Sequence, residues 1–311
     1  MSGPDFNVAV PPSGYRWWYL DGLSADGQRG LTVIAFVGSV FSPYYAAARR
    51  RQEAVAPARF CAINVALYGP NRTAWAMTER SDRTLARSPA DFALGPSALH
   101  WDGTTLTVAV EEITVPWPRR LRGEIRFTPS LLPDHSEPLT EDHAHLWTPI
   151  APRGHLEVTF SHPALHWEGH GYLDSNSGAT PLERAFRQWT WARGDAGERT
   201  FLCYDAERRD GEHHRFMLEF DGAGTLHRHP CPPRHGLKAG LWGVPLTVHG
   251  DEGHPPRLRR RYEDTPFYNR SEVETTLKGE RLVMVNEGLD LDRFESRWVQ
   301  SLLPFRMPRR A

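Results

Sequence analysis

Between residues 141 and 176 the chain gathers side chains that can move protons or hold a cation. The first part reads Glu141-Asp142-His143-Ala144-His145-Leu146-Trp147, and the second His166-Trp167-Glu168-Gly169-His170-Gly171-Tyr172-Leu173-Asp174-Ser175-Asn176. Side chains two apart on a strand share a face, which pairs His143 with His145 and Tyr172 with Asp174. His-x-His beside carboxylates has the composition of a zinc or iron site, but no further ligand spacing supports one. The same residues also suit a wet, hydrogen-bonded surface. The chain has no Gly-rich phosphate loop, dinucleotide fingerprint or Gly-x-Ser-x-Gly motif. Chemistry without a cofactor is therefore the reading to test.

Such a cluster needs strands to hold it. Alternation with β-branched residues recurs at Leu31–Val37, Cys61–Tyr68, Thr104–Ile113, His155–Phe160, Arg215–Phe220 and Glu280–Val285, and it predicts strands there. Asp21-Gly22, Asp26-Gly27, Asp102-Gly103, Asp210-Gly211, Asp221-Gly222 and Lys278-Gly279 are turn signals between them. Helical periodicity is confined to a turn or two after Pro181 and to Asp292–Leu303, where Phe294, Trp298 and Leu302 fall on one face. The pattern predicts a mainly β, antiparallel protein. Arg16-Trp17-Trp18-Tyr19 and Arg187-Gln188-Trp189-Thr190-Trp191 each precede an Asp/Gly turn and an apolar strand. Two halves thus each open on a Trp-bearing strand, and they meet near residues 177–181. Up-and-down barrels remove exposed edges and can enclose a ligand.

A length of 311 residues suits two medium domains. The net charge of −1 offers no basic face for nucleic acid. Cys61, Cys203 and Cys231 are far apart and odd in number, with neither a disulfide framework nor zinc spacing, so a reducing, cytosolic compartment is expected. The N-terminus lacks the basic and apolar regions of a signal peptide. No apolar stretch approaches the ~20 residues that span a bilayer, and the protein is expected to be soluble or to lie on a membrane surface. Its 11 tryptophans suit an interior that holds something large and apolar, or else simply fill core.

Gly171-Tyr172-Leu173-Asp174-Ser175-Asn176-Ser177-Gly178, followed by Pro181-Leu182 and Trp189-Thr190-Trp191-Ala192-Arg193, resembles the central signature of carotenoid 1,2-hydratases from phototrophic bacteria. So do Trp17-Trp18-Tyr19-Leu20-Asp21-Gly22, Gly38-Ser39-Val40-Phe41-Ser42-Pro43-Tyr44-Tyr45, Ala62-Ile63-Asn64-Val65-Ala66-Leu67-Tyr68-Gly69 and Leu302-Leu303-Pro304-Phe305-Arg306-Met307-Pro308-Arg309. The resemblance spans nearly the whole chain. It implies two tandem lipocalin-like antiparallel β-barrel domains, 1–178 carrying the acid and 179–311 following, with a short C-terminal helix. It also implies an enzyme that adds water across the terminal C1=C2 bond of acyclic carotenoids such as neurosporene or lycopene, with no cofactor and no metal. The family's implicated residues fall on His145, Trp147, Tyr172 and Asp174. The wider group of paired barrels includes cyclases. A cyclase or isomerase of another isoprenoid or polyketide, and a non-catalytic lipid carrier, are the competing readings.

Hydrating a trisubstituted alkene starts with a proton. Placed on C2, it leaves a tertiary cation on C1, where water adds. Asp174 is the expected acid; a free Asp has a pKa of ~3.9, and an apolar pocket raises it. Trp147 and Tyr172 are expected to face the cation. His145 is expected to hold the water or take its proton, or to tune Asp174 through a hydrogen bond. Trp17, Trp167, Trp189 and Trp191 are expected to line the substrate, although such residues also fill core. A long polyene is nearly insoluble, so peripheral contact with lipid of the inner membrane is expected from the cytoplasmic side. Phe41–Tyr45 with Arg49-Arg50-Arg51, and Arg257 with Arg259–Arg261, are the segments that suit it.

Overall fold

The computed structural model describes residues 3–51, 54–70 and 73–310. It has two compact units, Met1–Pro181 with Ser301–Ala311, and Leu182–Gln300. The strands of the first are β1 (Tyr15–Ser24), β2 (Gly30–Val37), β3 (Cys61–Tyr68), β4 (Ala74–Arg80), β5 (Leu85–Arg87), β6 (Asp91–Leu94), β7 (Ser97–Trp101), β8 (Leu106–Ile113), β9 (Arg120–Pro129), β10 (Glu137–Pro138), β11 (His145–His162) and β12 (Ala164–Gly178). Helix α1 (Pro43–Arg51) follows β2. Among the described residues these 12 strands form one sheet, in the order β4-β3-β2-β1-β12-β11-β9-β8-β7-β6-β5, with β10 beside β11.

The sheet curls until β4 meets β8, and is nearly closed. Arg80 of β4 donates two hydrogen bonds of 2.9 Å to the Glu112 carboxylate of β8, and the Ser97 hydroxyl adds a third at 3.0 Å. The Val115 N–H donates to the Trp75 carbonyl at 3.0 Å along the same seam. Further along β4, the Glu79 N–H donates to the Pro308 carbonyl at 3.0 Å, and the Arg310 N–H donates to the Glu79 carbonyl at 2.9 Å. Inside lies an apolar core that includes Trp18, Leu20, Val33, Ile63, Val108 and Leu173.

Strands β8 and β9 alternate buried with exposed or half-buried residues, as expected of a sheet with one face in water. Strands β2 and β3 are buried at nearly every position, and so is Gly171–Asn176 of β12. Their sequences match: Cys61–Tyr68 is almost continuously apolar instead of alternating. Both faces of the sheet are therefore covered in this region.

Asp21-Gly22 is not a turn. It lies inside β1, and the hairpin turns at Asp26-Gly27, where the Gly27 N–H donates to the Ser24 carbonyl at 2.8 Å. Gly22 is needed for close approach, since a Cβ there would lie 2.2 Å from the Leu156 side chain.

The second unit comprises helix α2 (Leu182–Ala185), then β13 (Phe186–Ala196), β14 (Arg199–Arg208), β15 (His213–Phe220), β16 (Leu226–His229), β17 (Arg234–Leu237), β18 (Leu246–His249), β19 (Arg257–Asp264), β20 (Tyr268–Leu277) and β21 (Glu280–Asp290). Seven of these strands form a sheet in the order β16-β15-β14-β13-β21-β20-β19, and β17 pairs with β18 apart from it. Each unit sets its first strand between its second and its last: β1 lies between β2 and β12, and β13 between β14 and β21. The two Trp-bearing segments thus occupy the same place in the topology.

The C-terminal helical segment is two helices, α3 (Leu291–Glu295) and α4 (Arg297–Arg306), broken where Ser296 takes extended angles of −62° and 140°. The break rotates one away from the other. Phe294 is buried, whereas Trp298, Leu302 and Phe305 are exposed, so the expected single stripe does not form. Trp242, also exposed, stacks on Trp298 at 6.0 Å.

Breaking a buried ion pair by removing one partner costs about 3–5 kcal/mol. Arg80→Met should therefore destabilise the first unit by about that amount in urea unfolding, and adding Glu112→Leu should restore much of it. A loss within experimental error for Arg80→Met would mean that the seam is held by its backbone bonds alone.

Candidate active site

Strand β12 lies between β1 and β11, and their register builds the site. Tyr19 is opposite Asp174, Asp21 opposite Tyr172, and Trp17 opposite Asn176. On the other side Trp147 is opposite Asn176, and His145 opposite Gly178. Cross-strand partners share a face, so His145, Trp147, Tyr172, Asp174 and Trp17 lie together. That face is the reverse of the one carrying Trp18, Leu20 and Leu173 into the barrel core. Asp174 sits on the back of the barrel wall.

Two donors converge on one oxygen of Asp174. The Trp147 indole N–H donates to Oδ2 at 2.9 Å, and the Tyr172 hydroxyl donates to the same atom at 2.7 Å. Asp174 is 4% exposed, and Trp147 and Tyr172 are fully buried. A carboxylate out of water is costly unless hydrogen-bonded, and bonds to a charged acceptor are the strong kind. Burial, and then the neighbouring Asp174 charge, raise the Tyr172 phenol well above its usual range, so it remains a donor. The indole N–H can only donate.

His145 sits two residues before Trp147 on the same face. Its Nδ1 shares a 2.8 Å hydrogen bond with the Tyr15 hydroxyl, and its Nε2 a 3.0 Å bond with the Thr180 hydroxyl. Burial pushes its pKa down to about 4, against a weaker upward pull from Asp142. The imidazole is therefore neutral at neutral pH. Gly178 leaves room for it: a Cβ there would lie 2.6 Å from Nδ1 and 2.3 Å from the Tyr15 ring. Tyr15 in turn stacks on Trp17 at 5.1 Å, and Trp17 meets Phe36 at 6.1 Å. Tyr19 meets Tyr172 nearly edge-on at 6.3 Å. The polar group is thus framed by rings.

Sequence reasoning misses Tyr15, Tyr19, Asn176 and Asp21 on this face. Asp21 is fully buried beside Tyr172. Two Asp-Gly pairs flank a single hairpin, and only one of them can turn it; that is the available signal.

Other expected residues lie elsewhere. His143 is in the turn before β11 with a positive φ of 56°, so it shares no strand face with His145. Among the described residues no three His, Cys, Asp or Glu side chains gather as a metal site. Trp167 belongs to the barrel core, seven residues before Asp174, and an odd offset puts it on the opposite face. Trp189 and Trp191 are in the second unit, on the face away from its core residue Ala192. Trp189 packs 5.3 Å from Tyr204 and 5.9 Å from Phe186. The Phe41–Tyr45 aromatics are drawn inward. Tyr45 is buried, stacks on Phe60 at 4.9 Å and donates to the Gly14 carbonyl at 2.7 Å, while Phe41 meets Phe36 at 6.0 Å. Arg49 is buried over the Tyr45 ring at 4.2 Å.

Fold and site together define a mainly β, lipocalin-like protein with a buried carboxyl gripped by two aromatic donors. The family model described as carotenoid hydratase CrtC matches residues 33–311. The chain belongs to the carotenoid hydratase family. It is 49% identical over 308 residues to an acyclic carotenoid 1,2-hydratase of Thiocapsa roseopersicina, covering 99% of this chain and 76% of that protein. A relative of the same description from Rubrivivax gelatinosus is 44% identical, with coverage of 99% and 76%. One from Cereibacter sphaeroides is 39% identical, with coverage of 89% and 98%. Among solved structures, an AttH protein of Nitrosomonas europaea superposes with a TM-score of 0.61 at 12% identity, over 89% of this chain and 92% of that one. Kievitone hydratase of Nectria haematococca does so with a TM-score of 0.55 at 9% identity, over 94% and 99%. At such identities the likeness is one of fold. No helix among the described residues is long and apolar enough to cross a membrane.

The folded state resists protonating His145, with a pKa of about 4 against ~6.5 for the unfolded chain. Between those values the unfolded chain binds more protons, so this contribution to stability is lost as pH falls from 6.5 towards 4. His145→Gln removes the titration. Between pH 7 and 4.5, wild type should lose about 2–3 kcal/mol more than the variant in urea unfolding. Equal losses in both proteins would show that His145 accepts a proton freely in the fold.

Proposed function

We propose that this enzyme hydrates the terminal C1=C2 bond of an acyclic carotenoid such as neurosporene or lycopene to the 1-hydroxy product, with Asp174 as the acid and without a cofactor. The observation that carries this reading is the burial of Asp174 among aromatic rings, with Trp147 and Tyr172 fixing the orientation of its Oδ2. An oxygen that accepts two hydrogen bonds is not the one that bears a proton. In the neutral carboxyl the proton therefore sits on Oδ1, and Oδ1 delivers it.

The step balances with water alone. The Asp174 O–H bond breaks, a C2–H bond forms, and the positive charge rests on tertiary C1. Water bonds to C1 and releases one proton, which returns to the Asp174 carboxylate. His145 is a poor resting place for that proton, with a pKa of about 4; with its two ring nitrogens bonded to the Tyr15 and Thr180 hydroxyls, its part is to hold Tyr15 against Trp17. Trp147 and Tyr172 position the acid through their polar edges. The ring faces of Trp17, Tyr19 and Phe36 on the same side suit a cation, at ~0.5–2 kcal/mol each. No electron acceptor or nucleotide enters the balance. The polyene partitions into lipid, so the enzyme works at a membrane surface.

Asp174→Asn keeps the shape and loses the proton. Turnover on lycopene in liposomes, without added cofactor, should fall towards the upper end of the ~10²–10⁴ range for such groups, with circular dichroism unchanged. Trp147→Phe and Tyr172→Phe each leave Oδ2 one donor and should cost about 10–100-fold, the worth of one hydrogen bond to a charged group. Product formed in H₂¹⁸O should carry the label. A folded Asp174→Asn enzyme within a few-fold of wild type would remove Asp174 from the acid role, and unlabelled product would rule out hydration.

A further inference from the structure

The C-terminal segment of the first unit ends beside a concave patch of arginines. Arg59, Ser81, Asp82, Arg83 and Arg309 line a cleft of about 560 Å³, within the roughly 300–1,000 Å³ typical of small-ligand sites. None of the five belongs to β1, β11 or β12, the strands that build the acid site. Three guanidiniums stand against two carboxylates, Asp82 on the lining and Glu79 behind Arg309. Arg309 is fixed in place: it donates to the Glu79 carboxylate at 2.5 Å and to the Arg59 carbonyl at 3.1 Å, and its guanidinium lies 4.7 Å from the Phe60 ring. Arg59 and Arg83 make no ion pair among the described residues. A planar guanidinium fork matches phosphate oxygens, so this cleft is chemically suited to a phosphate group.

The same segment supplies an apolar element. Leu302 is 42% exposed and Phe305 77% exposed, both near the end of α4. Phe305 is four residues from Arg309, at most ~14 Å of extended chain. Exposed apolar side chains this close to an arginine cleft match an interfacial element, which sinks its apolar face ~5–10 Å below the headgroups while its cations meet anionic lipid. A dissolved phosphate compound would have no use for Phe305.

We propose that Arg59, Arg83 and Arg309 form a binding site for the phosphate of an anionic membrane lipid, and that Leu302 and Phe305 insert beside it to seat the enzyme on the bilayer. The choice of a membrane as occupant rests on the hydratase reading; the cleft and the exposed side chains do not. Of the two segments expected from sequence to meet lipid, Phe41–Tyr45 is largely buried with Arg50 and Arg51 exposed beyond it, and Arg257 with Arg259–Arg261 lies on β19 of the second unit.

Sedimentation with vesicles of phosphatidylcholine, with and without phosphatidylglycerol, tests the proposal. Wild type should bind the anionic vesicles more tightly, and less so as salt rises. Arg59→Gln with Arg83→Gln should weaken that binding by roughly fivefold per arginine, and Leu302→Ser with Phe305→Ser should weaken it too. The arginine variant should keep full turnover on detergent-dispersed lycopene, which separates seating from chemistry. If wild type has no turnover on lycopene in either liposomes or detergent, the hydratase reading fails while the vesicle result still decides this one. Arg309 is left intact because its loss would strand the buried Glu79. Equal binding by wild type and the arginine variant overturns the proposal, as does equal binding to neutral and anionic vesicles. Leu241 is an exposed apolar residue of the second unit; loss of binding from Leu241→Ser alone, with the arginine variant unaffected, would assign the contact to that unit and overturn the proposal. Calorimetric binding of inorganic phosphate without any vesicle binding would make the cleft a site for a dissolved phosphate and overturn the lipid assignment.

Discussion

The hydrogen bonds from Trp147 and Tyr172 to Asp174 Oδ2 are what the rest of the site is arranged around. A carboxyl held away from water needs donors, and on a sheet those donors must come from positions of the same parity. Tyr172 supplies one from two residues away on the same strand, and Trp147 the other from the adjacent strand. The bulges in β11 between Thr148 and Gly154 adjust the pairing just beyond Trp147. With one oxygen occupied twice, the carboxyl has a defined orientation.

This arrangement depends on a wall that is buried on both sides. Most of the barrel sheet behaves conventionally, with Val108 or Ile125 facing in and Thr107 or Arg126 facing out. Near β1, β2, β3 and β12 the outer face is closed as well. One strand then serves two interiors: Leu173 packs the barrel core, while its neighbours Tyr172 and Asp174 serve the site. A change at Leu173 would be felt by Tyr172 and Asp174 on either side of it.

Much of the strand layout is legible in the sequence. Cys61–Tyr68 runs as its β-branched pattern indicates, and Tyr172 and Asp174 share a face because two residues is one strand period. Parity shows which residues go together. It does not show which face is the barrel core, because Trp18 and Trp17, or Leu173 and Tyr172, are equally able to pack inside. Trp167 groups with the site by composition for that reason, and lies in the core. His143 cannot be separated from His145 without knowing that the backbone turns left-handed there. Asp21-Gly22 carries a turn's composition inside a strand, where the glycine answers to Leu156 on a neighbouring strand. Phe41–Tyr45 looks like an interfacial segment locally, and only tertiary contacts with Phe36, Phe60 and Gly14 draw it inward. The break at Ser296 has no Gly or Pro to announce it.

Strand β4 stands at the end of its sheet, and the bonds its outer edge makes have a bearing on solubility. A bare edge is a template on which another chain can add a strand. Here the Val115 N–H takes the Trp75 carbonyl, and the stretch from Pro308 to Arg310 takes both backbone groups of Glu79. The C-terminal residues act as a selvage, the finished border that stops a cloth from unravelling. A chain trimmed before Pro308 would keep every strand of the sheet and yet present β4 to its neighbours, so its failure would show first as self-association at high concentration, with unfolding a later event.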